Sequence, residues 1–135
     1  MKQKIIMLVT VCTIALLISP AFAKRSTPKT VAPVSKDGIE YSAPLNREGF
    51  VVATWIKTKR EIWSRQIYVI KHEYKFGLET DVQTCFITKL EMQNGKLKIK
   101  NEEKAEFVLD LDTMEVKILS GQAVIDYTNF KPPER

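Results

Sequence analysis

The chain has 135 residues, 44% of them hydrophobic and 27% charged, with 21 Lys and Arg against 16 Asp and Glu and a formal net charge of +5. This length supports one domain with a modest core, and so small and mixed a charge argues against a dedicated nucleic-acid binder, which gathers Lys and Arg on one face. A single histidine excludes the common multi-histidine zinc sites, and five scattered glycines form no phosphate-cradling loop.

The chain opens with Met1-Lys2-Gln3-Lys4, an almost wholly apolar run from Ile5 to Ile18, and Ala21-Phe22-Ala23, which sets small residues at both positions a signal peptidase reads. The expectation is a secretory signal peptide over 1–23, and with it a periplasmic or secreted protein. A membrane-spanning helix needs about 20 apolar residues, and Pro20 interrupts this run first. Retention as an uncleaved anchor is the competing reading. Cleavage after Ala23 removes Lys2, Lys4 and Cys12, leaving 112 residues, a net charge of +3, Cys85 as the sole cysteine and no membrane span. A lone cysteine forms no intramolecular disulfide in an oxidising compartment, and its ordinary fate is burial.

Residues 24–37 contain Pro28 and Pro33 in a basic, polar setting and read as a flexible N-terminal segment. The single domain is expected over 38–130, with an edge strand from Gly38 to Ala43. Phe50 to Lys57 and Glu61 to Ile70 are rich in β-branched and aromatic residues and read as a hairpin. A three-residue turn at Thr58-Lys59-Arg60 would pair Trp55 with Trp63, Ala53 with Arg65 and Val51 with Ile67. A helical turn is expected around Leu78–Val82. Asn94-Gly95 lies between two alternating runs, the strongest short hairpin signal, because a type I′ turn needs positive φ at both central positions. That turn pairs Met92 with Leu97, Leu90 with Ile99 and Glu91 with Lys98.

An odd connection at Glu102-Glu103-Lys104 is then required, since an even one would turn the apolar row Phe107, Leu109, Leu111 to water. A four-residue turn at Asp112–Glu115 would pair Leu111 with Val116 and Leu109 with Ile118. A last short strand is expected at Ala123–Tyr127, and 131–135, Lys-Pro-Pro-Glu-Arg, reads as a disordered tail. The fold class is all-β: an antiparallel meander of seven to eight strands forming a small barrel or sandwich.

The string Val34…Asp37-Gly38-Ile39-Glu40-Tyr41…Gly49-Phe50-Val51-Val52-Ala53…Trp63…Ile67-Tyr68-Val69…Phe86-Ile87-Thr88…Phe107-Val108-Leu109-Asp110-Leu111 resembles a group of small exported bacterial proteins of unassigned function. Locally, Val51-Val52-Ala53…Lys57-Thr58-Lys59-Arg60-Glu61-Ile62-Trp63 resembles one blade hairpin of a quinoprotein-type β-propeller, with Lys59 where that pattern has a turn glycine. The likeness implies a hairpin geometry and no quinone cofactor. A propeller needs at least four blades of about 40 residues, more than this chain supplies.

Two candidate sites emerge. Trp55, Trp63 and Arg65 share a face of the long hairpin in the expected register, with Lys57, Lys59 and Arg60 at its end. Tryptophan beside arginine is the composition of a binding hot spot for a protein or a glycan of the envelope. Burial of both tryptophans in the core is the competing reading, because a small domain needs large side chains to bury enough area. His72 and Cys85 would make a thiol-imidazole pair, hence a small hydrolase or thiol enzyme, if their strands lie side by side. Asp110 and Asp112, two strand rises or about 7 Å apart, would need further oxygen ligands to hold a cation. They read as a solvated face, as does the lysine row Lys96, Lys98, Lys100. No metal site and no cofactor are expected. The function the sequence supports is a non-enzymatic binding or accessory domain acting through the long hairpin.

Overall fold

The computed structural model describes residues 25–73 and 80–128. The expected signal peptide over 1–23 and the tail over 131–135 lie outside the described residues.

Asp37 and Gly38 take φ of 52° and 78° and close a two-residue turn between β1 (Val34–Lys36) and β2 (Ile39–Ser42). The flexible segment expected over 24–37 therefore ends earlier. Asp-Gly is itself a hairpin signal, and its influence outweighs that of the upstream prolines. Val31 is buried in the core, and the Arg25 guanidinium lies 5.0 Å above the Phe86 ring while pairing with Glu102. Arg25 and Val31 of the presumed tether are thus packed on the domain.

β2 pairs antiparallel with β3 (Phe50–Trp55), which pairs with β4 (Glu61–Gln66), giving a four-stranded sheet in the order β1-β2-β3-β4. The long second strand expected from Glu61 to Ile70 divides here. Ile67 and Tyr68 are both buried, and consecutive residues of a regular strand point to opposite faces. The backbone must therefore leave the ladder for both to reach the core, and it resumes as β5 (Val69–Lys71).

The meander follows a short 3-10 helix at Thr80–Gln83, part of the region where a helical turn was expected; residues 74–79 lie outside the described residues. β6 (Ile87–Gln93), β7 (Lys96–Asn101), β8 (Glu106–Asp110) and β9 (Val116–Ser120) form the second antiparallel sheet in that order. The pairs Met92–Leu97, Leu90–Ile99, Glu91–Lys98, Ile99–Phe107 and Leu97–Leu109 are those the sequence predicts. Asn94 and Gly95 adopt φ of 50° and 75°. The Glu102-Glu103-Lys104 loop closes with Lys104 at φ 61° and the Asn101 backbone N–H donating to the Ala105 carbonyl at 3.1 Å.

Two registers differ from expectation, for one shared reason. The Trp55 N–H donates to the Arg60 carbonyl at 2.9 Å and the Lys59 N–H to the Trp55 carbonyl at 2.8 Å, with Lys59 at φ 56°. The loop is therefore Ile56–Lys59, four residues long, and Ala53 faces Trp63 instead of Arg65, with an irregularity between Ala53 and Thr54. The same geometry recurs where Asp110 N–H donates to Glu115 O at 2.9 Å and Met114 N–H to Asp110 O at 2.8 Å, with Met114 at φ 60°. Leu109 consequently pairs with Val116, and Phe107 with Ile118. The Asp110 carboxylate explains where this loop starts. Its Oδ1 accepts from the N–H groups of Asp112 and Thr113 at 3.0 and 3.1 Å, the local turn-making role of Asp side chains.

β10 (Val124–Asp126) corresponds to the last expected strand, but it pairs in parallel with β5. Parallel partners need a long connection, and the whole second sheet supplies it. β1 and the division at Ile67-Tyr68 raise the strand number from the expected seven or eight to ten among the described residues. One buried cluster draws Tyr41, Val51 and Ala53 from the first sheet and Ile87, Leu90, Leu97, Ile99, Phe107 and Leu109 from the second. Neither sheet closes on itself, so the arrangement is sandwich-like and no barrel forms. Among the described residues no helix is long and apolar enough to cross a membrane.

Candidate functional site

The β3–β4 hairpin brings together most of the binding residues expected from the sequence, but it separates the two tryptophans. Trp63 is half-buried, packs against the core, and its ring centroid lies 5.8 Å from that of Tyr41. Trp55 is 46% exposed, with Ile39 of β2 as its strand partner. The slip of register is the cause. Opposite Ala53, Trp63 falls over the interior of the sheet, whereas Trp55 stands at the strand end where cover runs out. Trp63 is thus a structural residue on one side of the hairpin and Trp55 a surface residue at its tip.

Around Trp55 the tip is both apolar and cationic. Ile56 and Ile62 are also exposed large hydrophobic residues. Lys57, Thr58 and Arg60 line an open hollow of about 460 Å³ with Trp55, Asp37 and Gly38. The Ile56 N–H donates to the Gly38 carbonyl at 3.0 Å, so the Asp37-Gly38 turn buttresses the loop. Lys59 reaches Glu40 at 3.7 Å, and Arg47 donates to both Glu61 carboxylate oxygens at 3.0 Å. Lys57, Arg60 and Arg65, all exposed, form no ion pair among the described residues.

The second sheet is the contrast. Each strand lysine there has a carboxylate: Lys89 with Glu91, Lys96 with Asp110, Lys98 and Lys100 with Glu106, and Lys117 with Glu115. Cross-strand neighbours of opposite sign neutralise the lysine row, which accordingly behaves as a self-compensated face. Its field also holds the Glu106 carboxyl below the usual range, Lys98 contributing most. The absence of such partners is what sets Lys57, Arg60 and Arg65 apart from these strand lysines, and it could not be seen before register was known.

His72 and Cys85 are not joined by a hydrogen bond. His72 Nε2 meets Glu48 Oε2 at 3.1 Å, and its Nδ1 is buried with no partner among the described residues. Cys85 is fully enclosed, and burial foremost pushes its thiol above the ordinary range. That is the opposite of what an attacking thiolate requires. Tyr68 donates its hydroxyl hydrogen to the Cys85 carbonyl at 2.6 Å, and its own pKa is raised, chiefly by burial.

Asp110 is a turn and ion-pair residue. Lys96 at 3.0 Å, then the Thr113 and Asp112 amides, bring its pKa down to about 2. No group of three or more His, Cys, Asp or Glu positioned to hold a metal ion occurs among the described residues. One polar contact escaped sequence reasoning altogether. The fully buried Gln83 accepts from the Glu73 N–H at 2.5 Å and donates to the Glu73 carbonyl at 2.8 Å. Its side-chain amide thus imitates a strand partner and joins the two chain ends that flank residues 74–79. No local pattern marks a glutamine for that role.

No protein-family model matches the chain, and no curated protein matches it.

Proposed function

We propose that this chain is an exported, non-enzymatic binding or accessory domain that meets a protein partner of the cell envelope through the free end of the β3–β4 hairpin. One observation carries the reading: Trp55, Ile56 and Ile62 are exposed beside Lys57 and Arg60, with Arg65 farther along β4, and these three cations have no ion partner among the described residues. Exposed aromatic area next to arginine is the material of interface hot spots, and a charge left uncompensated is available to another molecule. The export component rests on the basic start, apolar run and Ala21-Phe22-Ala23 of the first 23 residues. The alternative, an enzyme built on His72 and Cys85, has less behind it, because the thiol is enclosed and the imidazole is engaged by Glu48.

The test is affinity capture from envelope extract with the wild-type chain and a Trp55→Ala/Ile62→Ser variant, both first shown to fold by circular dichroism. The expected result is a protein retained by wild type and lost by the variant. Equal retention by both, or by neither, overturns the reading.

A further inference from the structure

We propose that the partner presents an extended acidic segment, which adds as a fifth strand along the open side of β4. The proposal rests on the hairpin being the docking element and names the chemistry of what docks there.

β4 is an outer strand: among the described residues it pairs with β3 alone. Its other side offers an unpaired row of backbone N–H and C=O groups, the feature that β-strand addition exploits. Every β4 residue except Trp63 is exposed, and the strand, Glu-Ile-Trp-Ser-Arg-Gln, contains none of the Pro or Lys residues that usually guard an edge. The remaining outer strands are less suited. β1, β5 and β10 have three residues each. On β6 and β9 the lysines are already neutralised, Lys89 by Glu91 and Lys117 by Glu115.

Charge decides the kind of segment. Arg60 precedes β4, Arg65 lies near its far end, and Lys57 lies on the adjoining loop, all three without an ion partner among the described residues. An added strand would run about 4.8 Å from β4, within reach of those side chains. Alternation puts Trp63 and Arg65 on one face of β4 and Ile62 and Ser64 on the other. The matching segment therefore carries carboxylates on the face of Arg65 and apolar side chains on the face of Ile62 and Ser64. The other outer strands of a second copy are poor occupants, because β1, β5, β6 and β9 each bring at least one lysine and β10 has three residues. An anionic bilayer would satisfy the cations but leave the backbone row unused.

The experiment titrates the purified chain with a short fluorescent peptide alternating Glu and Val, and with its Lys-Val counterpart, following anisotropy. Amide hydrogen exchange is read at Ile62, Ser64 and Gln66. Saturable binding of the acidic peptide with slowed exchange along β4 supports the proposal, as does binding about tenfold weaker in a folded Arg60→Glu/Arg65→Glu variant. Equal binding of both peptides, no binding, binding without protection of β4, or self-association of the chain through β4 overturns it. So does binding to phosphatidylglycerol vesicles in preference to the acidic peptide. If the peptide fails while Trp55→Ala/Ile62→Ser still abolishes envelope capture, the hairpin reading stands and the acidic strand is the part in error.

Discussion

The Tyr68 hydroxyl donates to the backbone carbonyl of Cys85 at 2.6 Å, both residues being almost wholly shielded from solvent. The contact fastens the chain leaving β4 to the chain entering β6, and the Tyr68 ring stacks on Phe107 of the second sheet at 5.5 Å. Removing only the oxygen would leave the Cys85 carbonyl buried without this partner. Tyr68→Phe is expected to lower stability by about 1–3 kcal/mol, read as a lower urea midpoint at unchanged slope. A midpoint equal to wild type would show that this bond contributes nothing net.

The Cys85 thiol, enclosed and raised in pKa by burial, is expected to react with an aromatic disulfide reagent only on unfolding. At neutral pH its rate should follow denaturant concentration through the unfolding transition. Rapid labelling of the native chain would contradict its burial and revive the thiol-enzyme alternative.

The two tryptophans should separate cleanly. Trp55→Ala at the exposed hairpin end is expected to cost less than about 1 kcal/mol. Trp63→Ala, which empties a half-buried site against Tyr41, is expected to cost about 2–4 kcal/mol. Acrylamide quenching of the two single-tryptophan variants provides the second measurement: Trp55 should be quenched markedly more than Trp63.

Asp110 links the β8–β9 turn to acid stability. Its pKa is lowered from 3.8 to about 2 in the folded chain, by Lys96 first and then by the Thr113 and Asp112 amides. The folded state therefore binds this proton less readily than the unfolded state. The stabilisation is complete above about pH 4 and is lost as pH falls towards 2. In urea titrations across that window wild type should lose more stability than Asp110→Asn, which keeps an oxygen for the turn amides but has no proton to take up. Parallel pH curves would remove Asp110 from the acid response.

Gly121 takes φ +83°, and a Cβ added there would lie 2.5 Å from the Ala105 Cβ. Both the left-handed backbone and the contact oppose any side chain. Gly121→Ala is expected to destabilise by at least about 1 kcal/mol, measured as a lower melting temperature. The effect should shrink only in part when Ala105→Gly is added, since the second change removes the Cβ contact but leaves the Ala105 Cα at 2.8 Å and the backbone strain.

Wherever local chemistry alone determines geometry, the residues could be read directly. Asn94-Gly95 demands a two-residue turn, alternation then sets Leu90, Met92, Leu97 and Ile99 on one face, and parity forces the odd loop before Phe107. The errors lie where two loops of similar length compete. Thr58-Lys59-Arg60 looked sufficient as a turn, but the chain closes at Ile56–Lys59 with Lys59 left-handed, a conformation for which a lysine offers no forewarning. A two-residue slip keeps every side chain on its original face, so the hydrophobic pattern is blind to it, and that slip is what parts Trp55 from Trp63.

Period-two alternation and turn residues are local properties, and they are enough to dictate the all-β class, the core row of the second sheet and the hairpin from which the candidate site is built. Packing of distant segments sets which tryptophan stays in solvent, which lysines meet carboxylates, that Cys85 is enclosed, and that β10 returns to lie parallel to β5. Each of these depends on residues far apart in the chain. Burial, charge compensation and strand pairing between distant segments are settled only once the sheets pack against one another.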